Sequence, residues 1–151
     1  ESYSSNLYLA MASWAENNGF KGIAGWLYAQ ADEERLHMLK FVKYVNERGG
    51  KALITSVQQP PGEYAGVKEL FKEVLKHEQY VTQSINNTVA VSYDTKDFTT
   101  VTYLQWFVNE QIEEEASVQE ILDKLNLLGE QNLYLFDRDI MGLRAKPTPA
   151  V

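Results

Sequence analysis

Four stretches of the chain repeat apolar residues at intervals of three and four, the spacing that lines one side of an α-helix. The first reads Glu1, Ser4, Tyr8, Met11, Ala15, and the second Phe20, Ile23, Leu27, Gln30, Glu34, His37, Phe41, Tyr44. The third reads Val67, Phe71, Val74, Glu78, Val81, Ile85, Thr88, and the fourth Leu104, Phe107, Gln111, Glu114, Val118, Ile121, Leu125. A short fifth stripe holds Leu133, Phe136, Ile140 and Leu143. These predict helices over about 1–17, 20–48, 66–92, 94 or 97 to 128, and 132–143. Stops agree: Asn17-Asn18-Gly19, Gly49-Gly50 and Gly129 close three of them, and Asp94 or Asp97 can cap the fourth. Residues 51–65, with Pro60, Pro61 and Gly62, have no helical pattern, and the chain after Lys146 is expected to fray.

The first-to-second and third-to-fourth links are a few residues long, so those pairs are antiparallel hairpins. A 28-residue helix is about 42 Å long. The link from Gly49 to Ala65 can reach about 55 Å, enough to run the length of such a helix. The expectation is an all-α protein, a single domain over 1–151: a four-helix bundle with one long crossover between helices 2 and 3, plus a short fifth helix.

What sets these stripes apart is their middles. Glu34, His37, Glu78, Gln111 and Glu114 occupy positions meant for burial. An uncompensated buried carboxylate costs several kcal/mol or gives up its charge. A cation among them resolves the conflict, and a metal ion fits best. All lie mid-helix and so share one layer; counting back along the first helix brings Glu1 to the same level. By that count the native first helix is expected to start about a dozen residues upstream of Glu1.

Glu34 and His37 form Glu-x-x-His, which turns both side chains toward one ion. Opposed by glutamates on facing helices, that motif marks di-iron or di-manganese carboxylate sites. Oxygen-rich donors with one imidazole suit iron or manganese. The fourth helix offers Gln111-x-x-Glu114 instead of a second Glu-x-x-His, so the second metal position is all-oxygen, holds its ion more weakly and favours product release. Glu33, Glu110 and Glu113 are each rotated by about 100° from a ligand neighbour and could line an adjacent, more exposed third cation site. Glu115 reads as a solvated face and His77 as surface. Trp14 and Trp26 read as packing residues. Tyr8 and Trp106 read as core aromatics that could also stand near the metals in a redox role.

Composition narrows the class. With 151 residues, 44% hydrophobic and 23% charged, the chain can bury a real core. A net charge of −7 opposes nucleic-acid binding and suits attraction of cations. No apolar run is long enough to span a bilayer. The absence of cysteine excludes disulfides and thiolate metal sites and fits a reducing cytoplasm.

Four segments together resemble bacterial non-haem ferritin: Glu1-Ser-Tyr-Ser-Ser, Ala31-Asp-Glu-Glu-Arg-Leu-His37, Lys76-His-Glu-Gln79 and Leu104-Gln-Trp-Phe-Val-Asn-Glu-Gln-Ile-Glu-Glu-Glu115. The resemblance implies a ferritin-like bundle in which Glu1, Glu34 and His37 hold a first iron, Glu34 bridging, and Glu78 and Glu114 hold a second. Gln111 would sit beside the pair. Glu33, Glu110, Glu113 and Glu114 match the family's third iron site, and Tyr8 and Trp106 match aromatics near the centre. It further implies a shell of 24 subunits that oxidises Fe(II) with dioxygen or hydrogen peroxide and stores a ferric mineral.

The nearest alternative is bacterioferritin or another di-iron carboxylate oxidase or peroxidase of the same fold. Haem is not expected, because Arg35 stands where the haem-ligating methionine would fall and the second Glu-x-x-His is missing. A rubrerythrin would need cysteine. The DNA-protecting mini-ferritins place iron between subunits and lack the fifth helix. A metal-free interaction bundle leaves Glu34, Glu78 and Glu114 buried without compensation.

Overall fold

Helices form where the stripes place them. A computed structural model describes residues 1–144, in which the elements are α1 (Ser2–Asn17), α2 (Lys21–Glu47), α3 (Val67–Asp94), α4 (Phe98–Leu128) and α5 (Leu133–Asp139). Short 3₁₀ turns, Glu130–Asn132 and Ile140–Leu143, flank α5, so the predicted fifth helix ends in a tighter coil. The expected fraying after Lys146 lies outside the described residues. No strand occurs among the described residues, and none of their helices is long and apolar enough to cross a membrane. The chain divides into two compact units, one of Glu1–Val67 with Asp137–Met141, the other of Lys68–Phe136 with the chain from Gly142 onward.

In the first unit α1 and α2 form the expected hairpin. Gly19 makes the turn with φ +86°, a left-handed conformation that costs glycine little. The shared core is Leu7, Met11, Ala12 and Ala15 on α1 against Ile23, Ala24, Leu27 and Ala31 on α2. A buried polar tie crosses it: the Ser5 hydroxyl donates to the Ala31 carbonyl at 2.7 Å. After Gly49 (φ +81°) the crossover runs without regular structure to Tyr64, whose ring meets Trp14 edge-on at 5.7 Å. Trp14 also stacks on Phe20, at the end of the hairpin opposite to Gly49. The crossover therefore travels the length of α2, as its reach allows. At that same end Asp137–Met141 closes over the start of α2, which has no side-chain cap of its own in its first turn.

In the second unit α3 and α4 are joined by three residues and run antiparallel. Asp97, not Asp94, is the cap: its carboxylate accepts the Thr100 N–H at 3.1 Å and the Thr100 hydroxyl at 2.6 Å. All seven members of the α4 stripe are buried. On α3 the stripe is buried from Val67 to Ile85, but Thr88 is exposed and Ser92 is buried in its place. Ser84, Thr88 and Ser92 each bond the carbonyl one turn back, a habit that turns the hydroxyl onto its own helix. Phe136 of α5 is buried and meets Phe71 edge-to-face at 6.1 Å.

Candidate metal centre

The first unit gathers three of the expected ligands. Glu34 and His37 lie one turn apart on the buried face of α2, 1% and 4% exposed, with Glu34 Oε1 3.6 Å from His37 Nδ1. The Ser5–Ala31 hydrogen bond sets the register of α1, and one turn further Glu1 arrives level with Glu34. Donor atoms of Glu1, Glu34 and His37 then lie within 4.8 Å of one another. Glu1 Oε2 is buried and has no hydrogen-bond partner. A buried oxygen of this kind is costly unless a cation or water meets it. Burial lowers the His37 pKa, with the Lys40 ammonium acting in the same direction and the Glu1 carboxylate opposing them. The imidazole is thereby kept neutral, the form that binds metal. Two carboxylates and a neutral imidazole make a hard, anionic donor set for a divalent ion of the iron or manganese type.

Tyr8 is fully buried and meets Trp26 edge-on at 6.4 Å. Glu33, rotated off the stripe, is half-buried.

The second unit buries the remaining stripe acids. Glu78 is 1% exposed, and Gln111 and Glu114 are buried with it. The Gln111 amide Nε2 donates to the Glu78 main-chain oxygen and to Glu78 Oε2, both at 3.1 Å. It also reaches the Thr82 hydroxyl at 3.2 Å, and Thr82 in turn donates to Glu115 Oε1 at 2.5 Å. Gln111 thus bridges two successive turns of α3, at Glu78 and at Thr82. Glu78 and Glu114 bring carboxylate oxygens to this layer, and Gln111 turns its amide nitrogen rather than its oxygen toward Glu78.

Three readings change. Glu110 is buried where an exposed position was expected, because the buried face of α4 is wide enough to take the residue before Gln111. Glu113 is exposed. Glu115 is half-buried and hydrogen-bonded rather than solvated, and His77 is half-buried beside the Tyr80 ring at 6.3 Å. Trp106 is half-buried, perpendicular to Phe107 at 4.9 Å. Thr82 lies outside the stripe, but it stands four residues after Glu78 and so on the same side of α3, the one sequence signal that could place it here.

Known proteins resemble the chain over most of its length. Residues 1–128 match the Ferritin-like domain family. A probable bacterial non-heme ferritin-like protein of Haemophilus influenzae is 43% identical over 148 residues, covering 97% of this chain and 90% of its own. A bacterial non-heme ferritin of Escherichia coli is 39% identical over 145 residues, covering 95% and 88%. Among solved structures, the open pore ferritin of the archaeon Archaeoglobus fulgidus superposes with a TM-score of 0.90 at 40% identity, over 92% of this chain and 87% of that one. That likeness fixes the architecture as the ferritin-like four-helix bundle with a short C-terminal helix. With a family match from residue 1 to residue 128 and relatives this similar over nearly the whole chain, the protein belongs to the ferritin family.

Proposed function

We propose that this ferritin carries out iron storage by binding Fe(II) at its buried acids, oxidising it, and depositing the product as a ferric oxyhydroxide mineral inside a shell of like subunits. Residues 1–151 are taken as one ferritin-like domain. Glu1, Glu34 and His37 hold one ion. Glu78 and Glu114 hold a second, with Gln111 beside it, in the two-iron centre that the family resemblance implies. Glu34 takes the bridging place. Ions of such a pair stand about 3.5–4 Å apart, close enough for each to give one electron to the same oxidant. Dioxygen taking two electrons and two protons leaves as hydrogen peroxide; hydrogen peroxide as oxidant leaves as two waters. Carboxylate donors favour Fe(III), which draws the oxidation forward. Glu33, Glu110 and Glu113, with Glu114, form a third, weaker position through which ferric iron leaves. Tyr8 and Trp106 are the aromatics assigned a redox role near the pair.

The observation that carries this proposal is the meeting of Glu1, Glu34 and His37 within 4.8 Å around a buried Glu1 oxygen that nothing else satisfies. The charge of −7 adds a field that draws Fe(II) in. Assembly is supported by bare apolar side chains, Leu53 and Ile54 on the crossover and Leu127 and Tyr134 near the C-terminal end, each more than 70% exposed. The proposed count of 24 subunits rests on the family resemblance alone, and the proposed cytoplasmic location on the cysteine-free composition.

The test is aerobic Fe(II) oxidation followed by absorbance of the ferric product. Glu34→Ala and His37→Ala are expected to lose the fast initial phase, while the surface variant Glu73→Ala keeps it. Wild-type initial rates in both site variants would refute the assignment. Gel filtration reads the assembly directly, a shell against a subunit.

A further inference from the structure

We propose that Thr82 and Glu115 are positioning residues for the second iron, holding the Gln111 amide in the one orientation that steadies Glu78. This rests on the reading of Glu78 as an iron ligand. A groove of about 380 Å³ opens beside α3 and α4, lined by apolar Ile85, Val108 and Ile112 and by polar Thr82, Gln111 and Glu115. Gln111 thus stands between the groove and a carboxylate that is 1% exposed.

Proton counting fixes the direction of the chain of hydrogen bonds. Thr82 has one hydroxyl proton, and at 2.5 Å it goes to Glu115 Oε1, since a carboxylate oxygen accepts. Thr82 therefore meets Gln111, 3.2 Å away, with a lone pair. Glu78 offers two more acceptors at 3.1 Å, its main-chain oxygen and Oε2. A flipped amide would set its carbonyl oxygen against all three. The amide nitrogen is held inward, and Glu78 Oε2 keeps a charge-assisted bond. Without the Thr82 hydroxyl, one of the three acceptors is lost and the amide can turn toward water in the groove. Glu78 then has to be ordered by the ion itself.

The experiment is anaerobic Fe(II) titration of the assembled protein by calorimetry, with melting temperature recorded in parallel. Wild type is expected to take up two tight equivalents per subunit. Thr82→Val should keep the first and weaken the second by about three- to tenfold, the range of one hydrogen bond. Thr82→Ser, which restores the hydroxyl, should return the second to the wild-type value. A Thr82→Val isotherm equal to wild type overturns the inference. So does a loss shared by both ions, or a Thr82→Ser protein as impaired as Thr82→Val, since each would mean general loosening. A wild type that binds no Fe(II) would instead remove the iron-site reading beneath it.

Discussion

The Asp137 carboxylate accepts the backbone N–H of Ile23 at 2.8 Å, across a separation of 114 residues. Phe20 cannot cap α2 with its own side chain, so the last turn of α5 supplies the missing acceptor to the first turn of α2. The approach is so close that a Cβ on Gly22 would stand 1.7 Å from the Asp137 carbonyl oxygen. Asp137→Ala should lower stability by about 1 kcal/mol, the usual value of a cap, and Asp137→Asn by less because an acceptor remains. For Gly22→Ala two effects compete. Alanine gains up to about 1 kcal/mol of helix propensity, against roughly 1–3 kcal/mol for forcing backbone apart in a packed contact. The clash wins, and denaturant unfolding should show Gly22→Ala as the less stable protein.

The site was readable in the chain to the extent that burial follows helical period. Gln111 and Glu114 fall on a stripe whose seven members are all buried, and Glu34, His37 and Glu78 follow the same logic on their own helices. The Asp137 cap was not readable, because nothing near Ile23 in sequence announces an acceptor that arrives from 114 residues away. Thr82 and Glu115 were missed for a related reason. Each looks ordinary on its own helix, and only the hairpin register sets them against one another. Glu110 was misjudged because a single line of positions understates how wide a buried face is.

Lys96 lies in the turn between α3 and α4 with φ +59°, among the described residues the sole non-glycine at positive φ. A side chain there costs roughly 1–2 kcal/mol, and glycine returns up to about 1 kcal/mol of that as unfolded-state entropy. Lys96→Gly should be neutral or more stable by up to about 1 kcal/mol, whereas Lys96→Val, with a branched Cβ, should be less stable. Melting temperatures ordered glycine, lysine, valine from high to low would agree; valine above lysine would contradict the strain.

His37 makes stability depend on pH with a definite sign. Burial depresses its pKa in the folded state below the ordinary 6.5, so between the two values the unfolded chain binds more protons. Stability without metal should therefore rise with pH up to about 6.5 and fall as pH drops through the folded pKa. His37→Gln removes the titrating group and should flatten that limb, leaving carboxylate protonation to act lower down. Urea midpoints measured from pH 5 to 7.5 in the presence of a chelator would check it. An unchanged slope in His37→Gln would assign the limb elsewhere.

Glu34 should show a conflict between stability and function. Its carboxylate is 1% exposed, with donor atoms of Glu1 and His37 within 4.8 Å. Two like charges at that separation oppose one another by a few kcal/mol at an effective dielectric near 20, less where solvent reaches Glu1. Glu34→Gln keeps shape and hydrogen-bonding atoms but removes the charge, so the metal-free protein should gain about 1–2 kcal/mol. With Fe(II) present the order should reverse. Ligand binding stabilises the wild type through mass action, and the amide, a much weaker ligand, forfeits most of that gain. Melting curves with chelator and with anaerobic Fe(II) measure both sides. If Glu34→Gln is destabilised without metal, the charge there is compensated by the protein itself, and the physical ground for placing iron beside it is gone.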